Sequence, residues 1–408
     1  MPRLPFTRNL LRADSDDDVS RVTYFELFFD LVFVYAITEV THIVLDSPGW
    51  VHLLQAAMLT VVVWWVWVFT AWVTNWLHPD RGPVRALLIV LMGLGLLWAT
   101  AIPEAFDAKA PLFAILLVTM NVGRSAFTIG AFSGHPDHAL NFTRITTWFA
   151  ASGVLWIAGA FAPGEARIVL WLIAFAIDCA GPRCFFWVPG LGRSRAEAWD
   201  ITGEHMAERV SLFLIIALGE SIIETGQGFV EQELGAATIA AFLAAFAGTV
   251  LMWFLYFNHA QQHASEYIEE TDDTGMVAQT GFTYAPVPLA LGIIVTAIGN
   301  GLVLEHPTGP AEPWAAGLLS IGASVYLVGN AMFKRVTGGR WLMSHLLGVV
   351  AFAALYLLHP WLSAVVLSWI GDAVLLLTVL ADDLLYRRVE RQRADERRPD
   401  GLPDSLEG

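Results

Sequence analysis

The chain has 408 residues, 56% of them apolar and only 15% charged, whereas a soluble domain spends about a quarter of its residues on charge. That balance excludes an ordinary soluble enzyme. The net charge of −15 excludes a nucleic-acid binder held by phosphate contacts, which require a basic surface.

Apolar runs of about 18 to 25 residues suit helices that cross a hydrocarbon layer of roughly 30 Å. They predict an all-α, polytopic transmembrane bundle of twelve helices, at 24–46, 51–76, 83–105, 111–133, 142–163, 166–188, 205–228, 235–258, 281–304, 312–333, 341–358 and 361–386. Turn-forming segments separate the runs, among them Asp46-Ser47-Pro48-Gly49, Pro163-Gly164 and Pro307-Thr308-Gly309-Pro310. The predicted organisation is a tail at 1–23, a six-helix half at 24–188, a linker at 189–204, a second six-helix half at 205–386 and a charged tail at 387–408. The first run lacks a small-residue cleavage site and is expected to stay in the mature protein.

Basic residues accumulate on the cytoplasmic side of short loops. With both termini inside, nineteen Lys and Arg fall in inner segments against two outside, Lys109 and Arg167. The alternation therefore predicts a plasma-membrane protein with cytoplasmic ends, the acidic 259–280 loop included on that side.

Ionisable residues within membrane helices are costly and are read first as functional. The first span carries Glu26, Asp30, Glu39 and His42; Glu26 and Asp30 share one face, and Glu39 and His42 share another with Tyr35. A shallow position among the headgroups is the alternative for Glu26 and Asp30. The tryptophans of the second span, Trp64, Trp65, Trp67, Trp72 and Trp76, read as an interfacial belt. Arg124 in the fourth span is a counter-charge for an acid, since a guanidinium does not shed its proton. Cys179 and Cys184 lack C-x-x-C spacing and read as buried structural thiols.

The seventh span is the most informative. His205, Arg209, Glu220 and Glu224 project onto one stripe about 100° wide. Arg209 and Glu220 are about 16 Å apart along the helix axis, so Glu220 needs another partner, Arg124 being the candidate, or a proton. In the eighth span, Ala237, Ala241 and Ala245, and likewise Ala240, Ala244 and Gly248, recur at the four-residue spacing of close-packed membrane helices. His345 reads as a hydrogen-bonded or interfacial residue, and Asp178 and Asp372 are the remaining intramembrane acids.

Arg21-Val22-Thr23-Tyr24-Phe25 pairs with Arg209-Val210-Ser211-Leu212-Phe213, and both second spans close on Asn, at Asn75 and Asn258. These matches suggest two parallel six-helix repeats, an arrangement whose interface forms the substrate path in several transporter folds.

Glu26-Leu27-Phe28-Phe29-Asp30-Leu31-Val32-Phe33-Val34 resembles the first signature of the bacterial low temperature requirement protein A (LtrA) family. His205-Met206-Ala207-Glu208-Arg209 with Leu218-Gly219-Glu220-Ser221 resembles its second, and Tyr256-Phe257-Asn258 its next. The resemblance implies a multi-spanning bacterial inner-membrane protein named for a cold-growth phenotype, and it fixes no biochemical activity. The chain departs from the family pattern at Pro286, in a segment where a His is expected before the later Pro, and at Asn258, where an acid is usual.

Three readings follow. The first is a transporter or channel for a small solute or ion, with protons as a candidate coupling ion and Glu26, Asp30, Glu39, His42, Arg124, His205, Glu208, Arg209, Glu220, Glu224 and Asn258 along its path. The second is a non-transporting scaffold or stress-adaptation factor. The third, a membrane-embedded enzyme, is the least supported, because Ser221, Glu220 and His205 do not form a triad by spacing and no metal motif is present. No cofactor or metal is expected; the lipid bilayer and a small solute or ion are the expected partners.

Overall fold

The computed structural model describes residues 10–12, 22–194, 203–258, 280–338 and 342–396. They form twelve α-helices: α1 Tyr24–Leu45, α2 Trp50–Trp76, α3 Gly82–Ala99, α4 Ala110–Ala131, α5 Pro136–Phe161, α6 Gly164–Arg183, α7 Gly203–Val230, α8 Ala236–Phe257, α9 Pro286–Glu305, α10 Pro313–Gly338, α11 Met343–Leu358 and α12 Ala364–Glu396. Among the described residues there is no named strand. Nine helices are long and apolar enough to cross a membrane by length and composition, the other three being α5, α6 and α7. All twelve predicted runs are helical. The 259–280 loop, apart from Thr280, lies outside the described residues, as do parts of the linker and of both tails.

Local chemistry explains where the helices begin. Thr23 caps α1 through a capping box: its side chain accepts from the Glu26 amide, and the Glu26 carboxylate accepts from the Thr23 amide. Proline occupies the first turn of α3, α4, α5 and α9, where its missing N–H costs nothing. A π-helical turn, Thr280–Tyr284, leads into α9.

α2 runs through the centre of the molecule, and this corrects the belt expected for its tryptophans. Trp64, Trp65, Trp67 and Trp72 are buried within the protein. Trp64 donates its ring N–H to the Thr283 carbonyl at 2.8 Å, and Trp67 donates to Asp30 Oδ1 at 2.8 Å. An indole N–H in an apolar interior needs an acceptor, and other helices supply one. The thiols also differ from expectation, since Cys184 is exposed and Cys179 half-buried, both free; Cys184 follows the end of α6 instead of packing inside it.

The closest helix pair is α9 with α10. A Cβ at Gly329 would lie 2.7 Å from Leu289 N, and one at Gly322 would lie 2.6 Å from Thr296 N, so glycine is what lets these backbones approach. Of the small residues foreseen in α8, Ala241, Ala244, Ala245 and Gly248 are buried, while Ala237 and Ala240 are half-buried. α1 and α2 pack on α7 and α9. The sequence match offered for a repeat falls at unequal positions, since Thr23 caps α1 whereas Ser211 lies well inside α7.

Contacts between loops follow the predicted alternation. Leu11 bridges Leu77, and Pro310 bridges Ser363; Arg144 donates to the Leu191 carbonyl and Arg167 to the Asp107 carbonyl. Each of these contacts joins two segments assigned to the same side.

Candidate functional site

The polar faces of α1 and α7 meet. Asp30 of α1 and Arg209 of α7 form a two-pronged ion pair, Nη1 to Oδ2 at 2.7 Å and Nη2 to Oδ1 at 2.9 Å. Both are at most 2% exposed. Trp67 completes the acceptor side of Asp30 and also places its ring 5.2 Å from the Arg209 guanidinium, a cation–π distance. The shallow alternative for Glu26 and Asp30 is thereby replaced, because both acids are inside the bundle.

One turn earlier in α1, Glu26 is the hub of a second set of contacts. His205 Nε2 lies 3.1 Å from Glu26 Oε1, and Arg12 Nη2 lies 3.2 Å from Oε2. The amide nitrogen of Asn75 lies 3.1 Å from His205 Nδ1. Arg12 Nη2 also lies 3.1 Å from His205 Nε2, so this ring nitrogen faces both a guanidinium and the Glu26 carboxylate. Arg12 also donates to the Thr74 carbonyl at 3.0 Å, while the Arg12 amide donates to the Trp76 carbonyl and the His78 amide to the Leu10 carbonyl. Burial lowers the basicity of Arg12, with Glu26 pulling the other way. The two guanidinium groups match the two carboxylates in number, with the His205 imidazole between them. Glu208 stands at the edge of this network, accepting the Val22 amide at 3.1 Å.

Further along the same seam lies Glu220, 1% exposed. Thr38 of α1 donates to its Oε2 at 2.5 Å, while Oε1 is buried with no hydrogen-bond partner among the described residues. Glu39 and His42, both half-buried, are within electrostatic reach of Glu220. Glu224 is buried one turn on, next to Gly301, where a Cβ would meet its Oε1 at 2.9 Å. Ser221 is bonded to Thr249 Oγ1 at 2.8 Å, which sets its hydroxyl against another hydroxyl and not against a base.

Two predicted members lie apart. Arg124 is not the partner of Glu220: it donates to the Val66 carbonyl at 2.9 Å, Thr70 Oγ1 at 3.0 Å and Asn121 Oδ1 at 2.9 Å. The Phe69 and Phe149 ring centres lie 5.7 and 5.8 Å away. Neutral oxygens and aromatic faces satisfy this cation in place of a carboxylate. Asn258 is an exposed residue that ends α8 beside Lys334 and Asp382, away from the α1–α7 seam. His345 is hydrogen-bonded, as expected, through Asn330 Oδ1 at 2.9 Å. Among the described residues no group of three His, Cys, Asp or Glu could hold a metal ion.

These arrangements put the signature residues of both motifs on one seam, and the comparison with known families bears on the same residues. The model of the bacterial low temperature requirement A protein (LtrA) family matches residues 21–380. The chain belongs to this family. It is similar to an uncharacterized protein of Rhizobium meliloti (strain 1021), 35% identical over 386 residues that cover 94% of each chain. No solved structure matches. For this LtrA chain, Arg12, Asn75, Trp67 and Thr38 are the site residues that sequence reasoning missed. Only Thr23-x-x-Glu26, a capping-box spacing, carried a readable local signal, and it marks the helix start, not the network around it.

Proposed function

We propose that this LtrA protein moves a small solute or ion across the bacterial inner membrane along the α1–α7 seam, with both termini cytoplasmic. The observation that carries the reading is Glu220, a carboxylate inside the bundle with one oxygen held by Thr38 and the other without a partner. A buried carboxylate is stable only when paired or protonated, so Glu220 suits a group that takes up and releases a proton or cation. Glu224, Glu39 and His42 continue the polar line. The Arg12–Glu26–His205–Arg209–Asp30 network closes its other end, and opening that end would break charge-assisted bonds. The partners on this reading are the lipid bilayer and the transported species, with no nucleic acid.

A second reading, a membrane scaffold or stress-adaptation factor, is favoured by the balance of that same network, which fixes helix register without any transport. The enzyme reading has little support, because Ser221 faces Thr249 and His205 is engaged by Glu26 and Asn75.

Glu220→Gln separates the first two. In vesicles holding a pH-sensitive dye, the wild type should dissipate an imposed proton gradient, alone or with a co-solute, and the variant should fold with an unchanged melting profile but lose that flux. Undiminished flux in Glu220→Gln would remove Glu220 from the path, and a wild type without flux for any solute screened would favour the scaffold.

A further inference from the structure

Helices α8 to α12 line a partly open cavity of about 30 Å³, remote in sequence from the first-half motifs. That volume holds one or two waters or one small dehydrated ion. Its polar lining comes from Thr296 and Asn300 of α9, Ser320 of α10, and Ser368 and Asp372 of α12. Two of these side chains have unmet capacity: Asp372 Oδ2 and Ser320 Oγ are buried with no hydrogen-bond partner among the described residues. Two others have spent their protons, since Thr296 donates to the Gly292 carbonyl at 2.8 Å and Ser368 to the Ala364 carbonyl at 3.1 Å. Each of those hydroxyl oxygens keeps lone pairs free. Within an otherwise apolar lining, five side chains therefore bring oxygen acceptors together, and only Ser320 and Asn300 keep donors to spare.

Gly248 of α8 makes room for the acid, because a Cβ there would lie 2.8 Å from Asp372 Oδ1. Asp372 is half-buried with its Oδ2 out of reach of solvent, and a glycine placed to admit it argues that the carboxylate is wanted at this spot.

We propose that this cavity binds one small monovalent cation, Li⁺, Na⁺ or K⁺, through the Asp372 carboxylate and the oxygens of Ser320, Thr296, Ser368 and Asn300. One carboxylate balances one positive charge. A divalent ion fits less well, since Mg²⁺ keeps several waters and Ca²⁺ takes six to eight oxygens, commonly with more than one acid, and the cavity offers neither the room nor the second carboxylate. The proposal does not depend on transport through the α1–α7 seam, because a bound ion could equally be structural and its readout is binding.

The test uses the purified full chain in nanodiscs, titrated with NaCl, KCl or LiCl against N-methylglucamine chloride at constant ionic strength. At least one of the three salts should raise the melting temperature saturably, by roughly 2–4 °C. Asp372→Asn should abolish that increment, and Ser320→Ala, which removes a single oxygen, should weaken the apparent affinity about tenfold. Radioactive ²²Na⁺ or ⁸⁶Rb⁺ binding should parallel the melting data, near one ion per chain. Equal melting curves in all four salts, or an ion-specific rise that persists in both variants, would overturn the proposal. In the first case the cavity holds water or a proton shared by Asp372 and Ser320.

Discussion

Arg209 and Asp30 show how a single pair can be both costly and indispensable. Desolvating two charges is repaid only by good geometry and full hydrogen bonding, and here the two-pronged contact is reinforced by the Trp67 N–H and by the Trp67 ring. Asp30→Asn or Arg209→Gln alone should destabilise the protein by about 3 to 5 kcal/mol, because each leaves the opposite charge buried without its partner. The double variant keeps an acceptor for Trp67 and removes both charges, so its loss should fall short of the sum of the two single losses, with a coupling of about 0.5 to 3 kcal/mol. Strictly additive losses in a melting-temperature cycle would show that the pair is not energetically coupled. The helical stripe of α7 was legible in the sequence because His205, Arg209, Glu220 and Glu224 obey the helical period. The partners were not, because pairing across α1 and α7 spans some 180 residues of chain, and Arg124 shows the consequence: a lone cation suggested an acid, and the fold supplied carbonyl, hydroxyl and amide oxygens in its place.

At the scale of helices, small residues decide which pairs approach and which polar groups they enclose. The α9–α10 pair depends on Gly322 and Gly329 against the facing backbone, and α8 depends on Gly248 against Asp372. The glycines of α9 and α10 carried no pattern that the sequence reading used, whereas the four-residue repeat of alanines in α8 did. Gly329→Ala should cost about 1 to 3 kcal/mol by overpacking the α9–α10 contact. Gly123→Ala in α4, where nothing lies within 4 Å of the added methyl, should be neutral or stabilise by up to about 1 kcal/mol through reduced backbone freedom. Melting curves of the two variants in the same detergent give the comparison; equal effects would mean that helix propensity, not packing, dominates at Gly329. The tryptophans of α2 teach the complementary lesson. An aromatic cluster near a helix end looks interfacial in sequence, but the carbonyl of Thr283 and the carboxylate of Asp30 give these indoles interior acceptors that no local pattern announces.

For the whole molecule, helix number and loop positions were readable because hydrophobic length and helix breakers are local, and the loop contacts agree with the alternation they imply. Leu11 with Leu77, Pro310 with Ser363 and Arg144 with Leu191 each stay within one side, and a single missed or added span between them would have set such contacts across the membrane. The contacts pair the loops without saying which set faces the cytoplasm; the excess of Lys and Arg assigns that. In intact cells, with Cys179 and Cys184 replaced by Ala, Thr308→Cys in the α9–α10 loop should react with a membrane-impermeant maleimide. Arg81→Cys in the α2–α3 loop, and single cysteines at 265–275, should react only after the cells are opened. Thr308 and Arg81 are both exposed, so the contrast reads sidedness and not burial. The reverse pattern at every position would invert the orientation, leaving the fold and the loop pairing intact. Reaction of both Thr308→Cys and a cysteine at 265–275 from outside would instead break the single crossing assigned to α9, and with it the even number of crossings on which the proposal of two cytoplasmic termini rests.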